Sequence, residues 1–292
     1  MMETKLVLLG TGTPNACPDA SGPSSAVVVG DRAYLVDFGP GVVRQAAKAY
    51  RNGIDALRPD RLVTAFCTHL HTDHTVGYPD LIFTPWVLER KEPLRVFGPK
   101  GIRDMTEHLL KAYKVDIDFR INGFEKANEV GYRVETQEIN SGVIYRDDRV
   151  TVEAFPVSHG TLESYGFKFT TPDRVIVISG DTAPLEIVAE KAKGCDILLH
   201  EVEYTAGLAG REPKWQKYHR EVHTLSVDLA EIAKKAGPKL LVTYHRIYHM
   251  EIQDNTVDVG AEMARRNEAI LEEIRNAGYE GPVVNGMDRD VF

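Results

Sequence analysis

The run His69-Leu70-His71-Thr72-Asp73-His74 places three imidazoles and a carboxylate on six consecutive residues. The apolar segment just before it, residues 62–67, has the character of a strand, so the run lies in the loop that a strand delivers. Imidazoles at alternate positions after a strand can aim two ring nitrogens at one ion. The carboxylate and third imidazole, two and three residues further on, can then face a neighbouring ion. Histidine-rich loops also occur as ordinary surface or capping segments, but that origin does not account for such regular spacing. The chemistry these residue types support is metal-assisted hydrolysis.

On this run the chain resembles the metallo-β-lactamase superfamily, whose signature is HxHxDH following a strand. The resemblance extends over nearly the whole length. Ahead of the run lie the turn Gly10-Thr11-Gly12-Thr13-Pro14 and Asp37-Phe38-Gly39. Beyond it come Pro156-Val157-Ser158-His159, Ser179-Gly180-Asp181-Thr182 and Tyr244-His245-Arg246. The resemblance implies that His69, His71 and His159 hold one metal, that Asp73, His74 and His245 hold another, and that Asp181 bridges both. Taken singly, His159 or His245 is more often a core or surface histidine; position at a strand end and order after the signature favour the ligand role. His249 competes with His245 for the last place, and His245 is preferred because it follows a strand immediately. A donor set rich in imidazole with carboxylate help suits zinc better than calcium or magnesium. Two zinc ions per chain are expected, with manganese or iron as alternatives. The implied reaction is ester hydrolysis by a metal-bridging hydroxide, with Asp73 orienting the nucleophile while it also binds metal.

Within the superfamily the chain is most similar to the RNase Z-like branch, through Ser164-Tyr165-Gly166, His200-Glu201-Val202-Glu203-Tyr204-Thr205 and His223-Thr224. That likeness implies that Glu201 orients His223, and that His223 protonates the departing oxygen or steadies the charged transition state. RNase Z enzymes cleave a tRNA phosphodiester, and the bacterial ones carry a basic, glycine-rich arm between the third-motif histidine and the GDT aspartate. Here 21 residues separate His159 from Asp181, most of them in two strands and a turn, so the arm is missing at that place. The segments 77–86 and 97–99 are closer to the arylsulfatase-like and small-phosphodiester members. Arg211, Lys214, Lys217 and Arg220 lie with Trp215, Tyr218 and His219 in what reads as a loop between two active-site motifs. Such a loop could hold an anionic ester or stack an aryl group; a solvated amphipathic surface segment is the equal alternative.

The elements that must position these groups are legible as a pattern. Short apolar strands are expected at residues 6–9, 26–29, 34–36, 62–67, 94–97, 132–139, 150–157, 165–170, 175–179, 197–199 and 240–243. Helices are expected at 40–50, 102–112, 225–236 and 257–277. Strands interspersed with helices in both halves, without a linker or repeat, point to one domain over residues 1–292. The fold class is α/β, an αββα four-layer sandwich in which two sheets lie between outer helices.

Composition agrees. Over 292 residues, 43% are hydrophobic, enough for a sizeable core, and 35 Lys and Arg face 43 Asp and Glu, a formal net charge of −8. That balance disfavours broad nucleic-acid binding without excluding a local basic site. Cys17, Cys67 and Cys195 are few and widely spaced, which fits free thiols in a reducing compartment. The N-terminal apolar run is too short for a signal-peptide core, and no stretch approaches the ~20 apolar residues of a membrane span. A cytoplasmic enzyme is expected, with no membrane partner; the branch resemblance admits a homodimer.

The expected activity is hydrolysis of small anionic phosphodiesters or related sulfate esters, with nucleic acid disfavoured. Alternatives are tRNA 3′-processing without the usual arm, and lactone hydrolysis. Flavin-linked di-iron oxidoreductases of the same fold carry Glu at the position of His71, and a non-catalytic relative would lack ligands; both are disfavoured.

Overall fold

The computed structural model describes residues 3–250, 256 and 258–292. The chain forms two compact units with interleaved segments. The first takes the chain up to Gly10, Ala20–Asn140 and Asp288–Phe292; the second takes Thr11–Asp19 and Ser141–Met287.

In the first unit, β1 (Thr4–Gly10), β2 (Ser24–Val29) and β3 (Arg32–Val36) precede helix α1 (Val42–Arg51). Then follow β4 (Thr64–Phe66), α2 (Thr72–Thr75), α3 (Tyr78–Val87), β5 (Leu94–Gly98), α4 (Ile102–Ala112), α5 (Lys114–Asn122) and β6 (Val134–Glu138). The six strands lie in sequence order in one sheet. Pairing is antiparallel from β1 to β3 and parallel from β3 to β6. The β2–β3 hairpin turns on Gly30 and Asp31, where Gly30 takes the left-handed φ of 62° that a tight turn needs. The core gathers Val7, Leu9 and Leu35 from the strands with Val42, Val43, Ala46 and Ala49 of α1. Those α1 positions form one apolar stripe, which is why a helix forms there.

The second unit contains β7 (Gly142–Arg146), β8 (Thr151–His159), β9 (Leu162–Thr170), β10 (Val175–Ile178), α6 (Glu186–Lys191) and β11 (Ile197–Glu203). It continues with α7 (Thr205–Ala209), α8 (Pro213–Val222), α9 (Ser226–Ala236), β12 (Leu240–Ile247), α10 (Val259–Asn276) and β13 (Val283–Asn285). Its seven strands run β13-β12-β11-β10-β9-β8-β7 across the sheet. The strands from β10 to β13 are parallel, and β7 to β10 antiparallel. Strand β11 is buried at every residue, as a parallel strand covered on both faces must be. Its core joins Leu198 and Val202 to Leu229, Ile232, Ala233 and Ala236 of α9 and to Ile270 and Ile274 of α10.

Two sheets, each with its own helices, are the elements the sequence pattern requires. Several boundaries shift for local reasons. Helix α1 starts two residues after the expected Pro40, because Gly41 sits at φ 98°. The last helix is expected from Val257, which lies outside the described residues. Helix α10 starts at Val259 and is capped by Asp258, whose side chain accepts from the Ala261 N–H. The segment around Trp215, which reads as a loop in sequence, is the helix α8, with Pro213 in its first turn where a missing N–H costs nothing. Helix α3 is not anticipated by the pattern: it is apolar nearly all round and carries Pro85 inside. Among the described residues no helix is long and apolar enough to cross a membrane.

Candidate metal centre

Most of the chemistry-bearing residues follow the carboxyl ends of strands that have a parallel neighbour, the usual place for a site in a parallel sheet, while His159 ends the antiparallel strand β8 and His223 follows helix α8. Asp37 follows β3 and His69 lies just beyond β4; Asp181 lies beyond β10, Glu201 and Glu203 end β11, and His245 lies near the end of β12.

The first unit supplies the HxHxDH run. The chain leaves β4 through Cys67 and Thr68, and His69 is fully buried. Its Nε2 stands 3.1 Å from Nδ1 of His71, so the two rings converge on one point. Nδ1 of His69 lies 3.0 Å from the Thr68 hydroxyl. The next turn is α2, which places Asp73 Oδ2 3.5 Å from His74 Nε2. The other nitrogen of His74, Nδ1, lies 2.8 Å from Asp37 Oδ2. Asp37 also accepts from the Thr68 N–H at 2.8 Å and from the Thr68 hydroxyl. One buried carboxylate therefore ties the start of the loop to its far end. Gly39 explains the tight approach: a Cβ there would meet the Asp73 carbonyl oxygen at 2.5 Å.

The second unit supplies the remaining candidates. His159 ends β8, and its Nδ1 lies 2.7 Å from the carbonyl of Val222 at the end of α8. Asp181 Oδ2 is 3.4 Å from His245 Nε2. One ligand atom from each of His159, Asp181 and His223 falls within 4.8 Å of the others, and so does one from each of Glu201, His223 and His245. His245 sits at a bulge, opposite the step from Glu201 to Val202, with φ 45°. Its N–H donates to the Thr11 carbonyl at 3.1 Å, which gives the early glycine-threonine turn a structural task. His249, the rival for the last ligand place, is engaged elsewhere: its Nε2 lies 2.5 Å from Glu203 Oε1.

Glu201 and His223 are brought together, Nδ1 to Oε1 at 3.1 Å. The same oxygen accepts from the N–H groups of Thr182 at 3.1 Å and Thr224 at 3.2 Å. Burial, and next the charge of Asp181, push the Glu201 carboxyl well above its ordinary range. Beside it His200 is driven down to about 4 by burial, so it is a neutral imidazole.

These residues fit a divalent metal. His69, His74 and His159 each engage one ring nitrogen with a hydroxyl, a carboxylate or a carbonyl, the outer contact that fixes the ring of a metal-binding histidine and leaves the other nitrogen to the ion. Imidazole and carboxylate donors together suit zinc-like ions. Sequence reasoning missed three of the supports. Asp37 stood only as part of a pattern, the Val222 carbonyl carries no residue-type signal, and Glu203 was read only as part of a motif.

The two mixed sheets and the strand-end histidines and aspartates define a hydrolase of the metallo-β-lactamase fold. A family model described as "Beta-lactamase superfamily domain" matches residues 32–246. Ribonuclease Z of Mycobacterium bovis (strain BCG / Pasteur 1173P2) is 32% identical over 247 residues, 83% of this chain and 86% of that relative. The metallo-β-lactamase fold protein YhfI from Bacillus subtilis superposes with a TM-score of 0.72 at 15% identity, covering 99% of this chain and 98% of that one. Human tRNase Z, short form, gives 0.70 at 21% identity with the same coverage, 99% and 98%. The chain belongs to the metallo-β-lactamase superfamily, in its RNase Z-like branch. It is a metal-dependent hydrolase acting on ester bonds, and divalent-metal binding goes with that membership.

Proposed function

We propose that the protein is a dizinc phosphodiesterase acting on small anionic phosphodiesters, with related sulfate esters as secondary substrates. In this reading the two units form a single catalytic domain. His69, His71 and His159 would hold one ion, Asp73, His74 and His245 the other, and Asp181 would serve both. The observation that carries the reading is the His223–Glu201 pair, within reach of the ligand atoms of Asp181, His159 and His245. When bound, the ions supply a water acidified to near neutrality and screen charge on the phosphoryl oxygens.

The chain's own groups do the rest. Glu201 Oε1 holds the proton on His223 Nδ1, which turns Nε2 outward to protonate the departing oxygen. Asp73 orients the attacking water. Glu201 is pushed up by burial and next by the Asp181 charge; were that charge neutralised by a bound cation, Glu201 would favour the ionised form that His223 needs. Free Cys17, Cys67 and Cys195 fit a reducing, cytoplasmic place of action.

A small substrate is supported by the segment between His159 and Asp181, which β9, a turn and β10 fill with no inserted arm, and by the net charge of −8. The name carried by the curated relatives supports a second reading, RNA cleavage, so nucleic acid stands beside small esters as a substrate class. Both share the phosphodiester chemistry. The test is a panel of aryl phosphodiesters, aryl sulfates, lactones and precursor tRNA on zinc-loaded protein, with metal counted per chain. Two ions and a preference of at least about tenfold in kcat/KM for the small phosphodiester are expected. A preference for precursor tRNA, or full activity with one ion or none, would overturn the reading.

A further inference from the structure

Strand β11 ends with two carboxylates on one face, Glu201 and Glu203, and the last turns of α8 carry two imidazoles four residues apart, His219 and His223. The spacings match. Glu201 Oε1 meets His223 Nδ1 in a hydrogen bond at 3.1 Å, and Glu203 Oε1 lies 3.1 Å from His219 Nδ1 as a charge contact, out of line for a hydrogen bond. Glu203 is fully buried and takes a second imidazole, His249 Nε2, at 2.5 Å on the same oxygen. The two rings stand edge to face with centroids 4.8 Å apart. Burial pushes Glu203 up, yet His219 and His249 outweigh it and hold the carboxyl below its ordinary range, so the group is ionised. Behind His249, Arg266 of α10 donates to its carbonyl at 3.0 Å, which anchors the far side of the cluster.

Helix α8 has need of such an anchor. Val222 is its one buried residue, while Trp215 and Tyr218 are exposed. A short helix with so little apolar surface covered gains little from packing, and its place is set by the polar contacts it makes. Its final turn nonetheless bears on the chemistry. The Val222 carbonyl receives His159 Nδ1, and the His223 N–H donates to the His219 carbonyl at 2.8 Å. His219 thus fixes the turn from which His223 projects.

We propose that Glu203, gripping His219 and His249, is a positioning residue for ester hydrolysis: it locks the last turn of α8 so that His223 keeps its place on Glu201. The inference rests on the reading of His223 as the proton donor. Glu203 itself touches neither substrate nor metal and acts through the helix.

A double-mutant cycle tests it, with kcat and KM measured on an aryl phosphodiester and zinc counted in each protein. In the native background Glu203→Gln should lower kcat about tenfold with KM changed less than about twofold. In a His223→Ala background the same substitution should cost less than about twofold, because the group it positions is gone. An equal loss in both backgrounds means general damage to the fold and overturns the proposal; so does no loss in the native background. Should Glu203→Gln not fold, His219→Asn opens the same clamp from its more exposed side and is judged by the same outcomes. A His223→Ala enzyme of undiminished kcat would instead sink the proton-donor reading, an outcome visible before Glu203 is changed.

Discussion

Replacing Asp37 by Asn tests whether a residue that touches no ion decides the affinity for one. The Asp37 side chain is buried and accepts from three groups: the Thr68 N–H, the Thr68 hydroxyl and His74 Nδ1. Its φ of 59° is left-handed, a conformation Asn tolerates, so the substitution adds little backbone strain. The amide oxygen can keep the Thr68 N–H, which turns the amide nitrogen toward His74. That nitrogen donates where the carboxylate accepted, and it forces the imidazole proton from Nδ1 onto Nε2. On the proposed ligand set, the nitrogen that would face the metal is then blocked. Loss of an orienting contact of this kind weakens metal binding by about 10–100-fold, or about 1.4–2.8 kcal/mol. Asp37→Ala goes further: it leaves the buried Thr68 N–H without its acceptor, a further cost of about 1–3 kcal/mol in folding stability. The assay is competition against a chromogenic chelator, with ions counted by mass spectrometry and unfolding followed in parallel. One class of ion should weaken in Asp37→Asn while the fold melts near its usual temperature. An affinity within about twofold of the native protein would refute the tautomer argument.

Two further outcomes are expected. His200 is held neutral, its pKa lowered by burial from 6.5 to about 4; the unfolded chain therefore binds its proton first. The stability this gives is fully present above pH 6.5 and is lost as pH falls toward 4, about 3 kcal/mol in all for a single group. In chelated protein, denaturant titrations at pH 7 and 4.5 should show native protein losing more than His200→Gln, and parallel losses would count against it. Gly39→Ala should lower the melting temperature and release metal, since its Cβ would lie 2.5 Å from the Asp73 carbonyl oxygen and 2.7 Å from the Pro23 nitrogen, both rigid backbone atoms. Gly210→Ala, with its nearest neighbour at 3.6 Å, is the tolerated control.

Much of this protein was legible one residue at a time. The HxHxDH run reads as a candidate metal-binding loop because ligand spacing along a loop is a local property. Apolar runs such as residues 6–9 and 197–199 announced strands, and the stripe of Leu229, Ile232, Ala233 and Ala236 announced a helix, because burial imposes a period on the chain. The stretch 211–220 misled, since its charges and aromatics resemble a loop; α8 buries only Val222 and shows almost no apolar stripe to betray it. Arg90, which no sequence pattern singles out, is fully buried and donates to the carbonyls of Leu62, Leu81, Ile82 and Gly131.

The sequence by itself determined the donor types, their order and the strands that deliver them, for these depend on composition and short-range pattern. Tertiary structure alone decided which partner each donor has. Asp37 reaches His74 across 37 positions, and Val222 reaches His159 across 63. It also decided that His245 stands beside Asp181 while His249 belongs to Glu203. Two histidines four residues apart look alike in a string of letters; the bulge that turns one of them toward the aspartate exists only once β11 and β12 have paired.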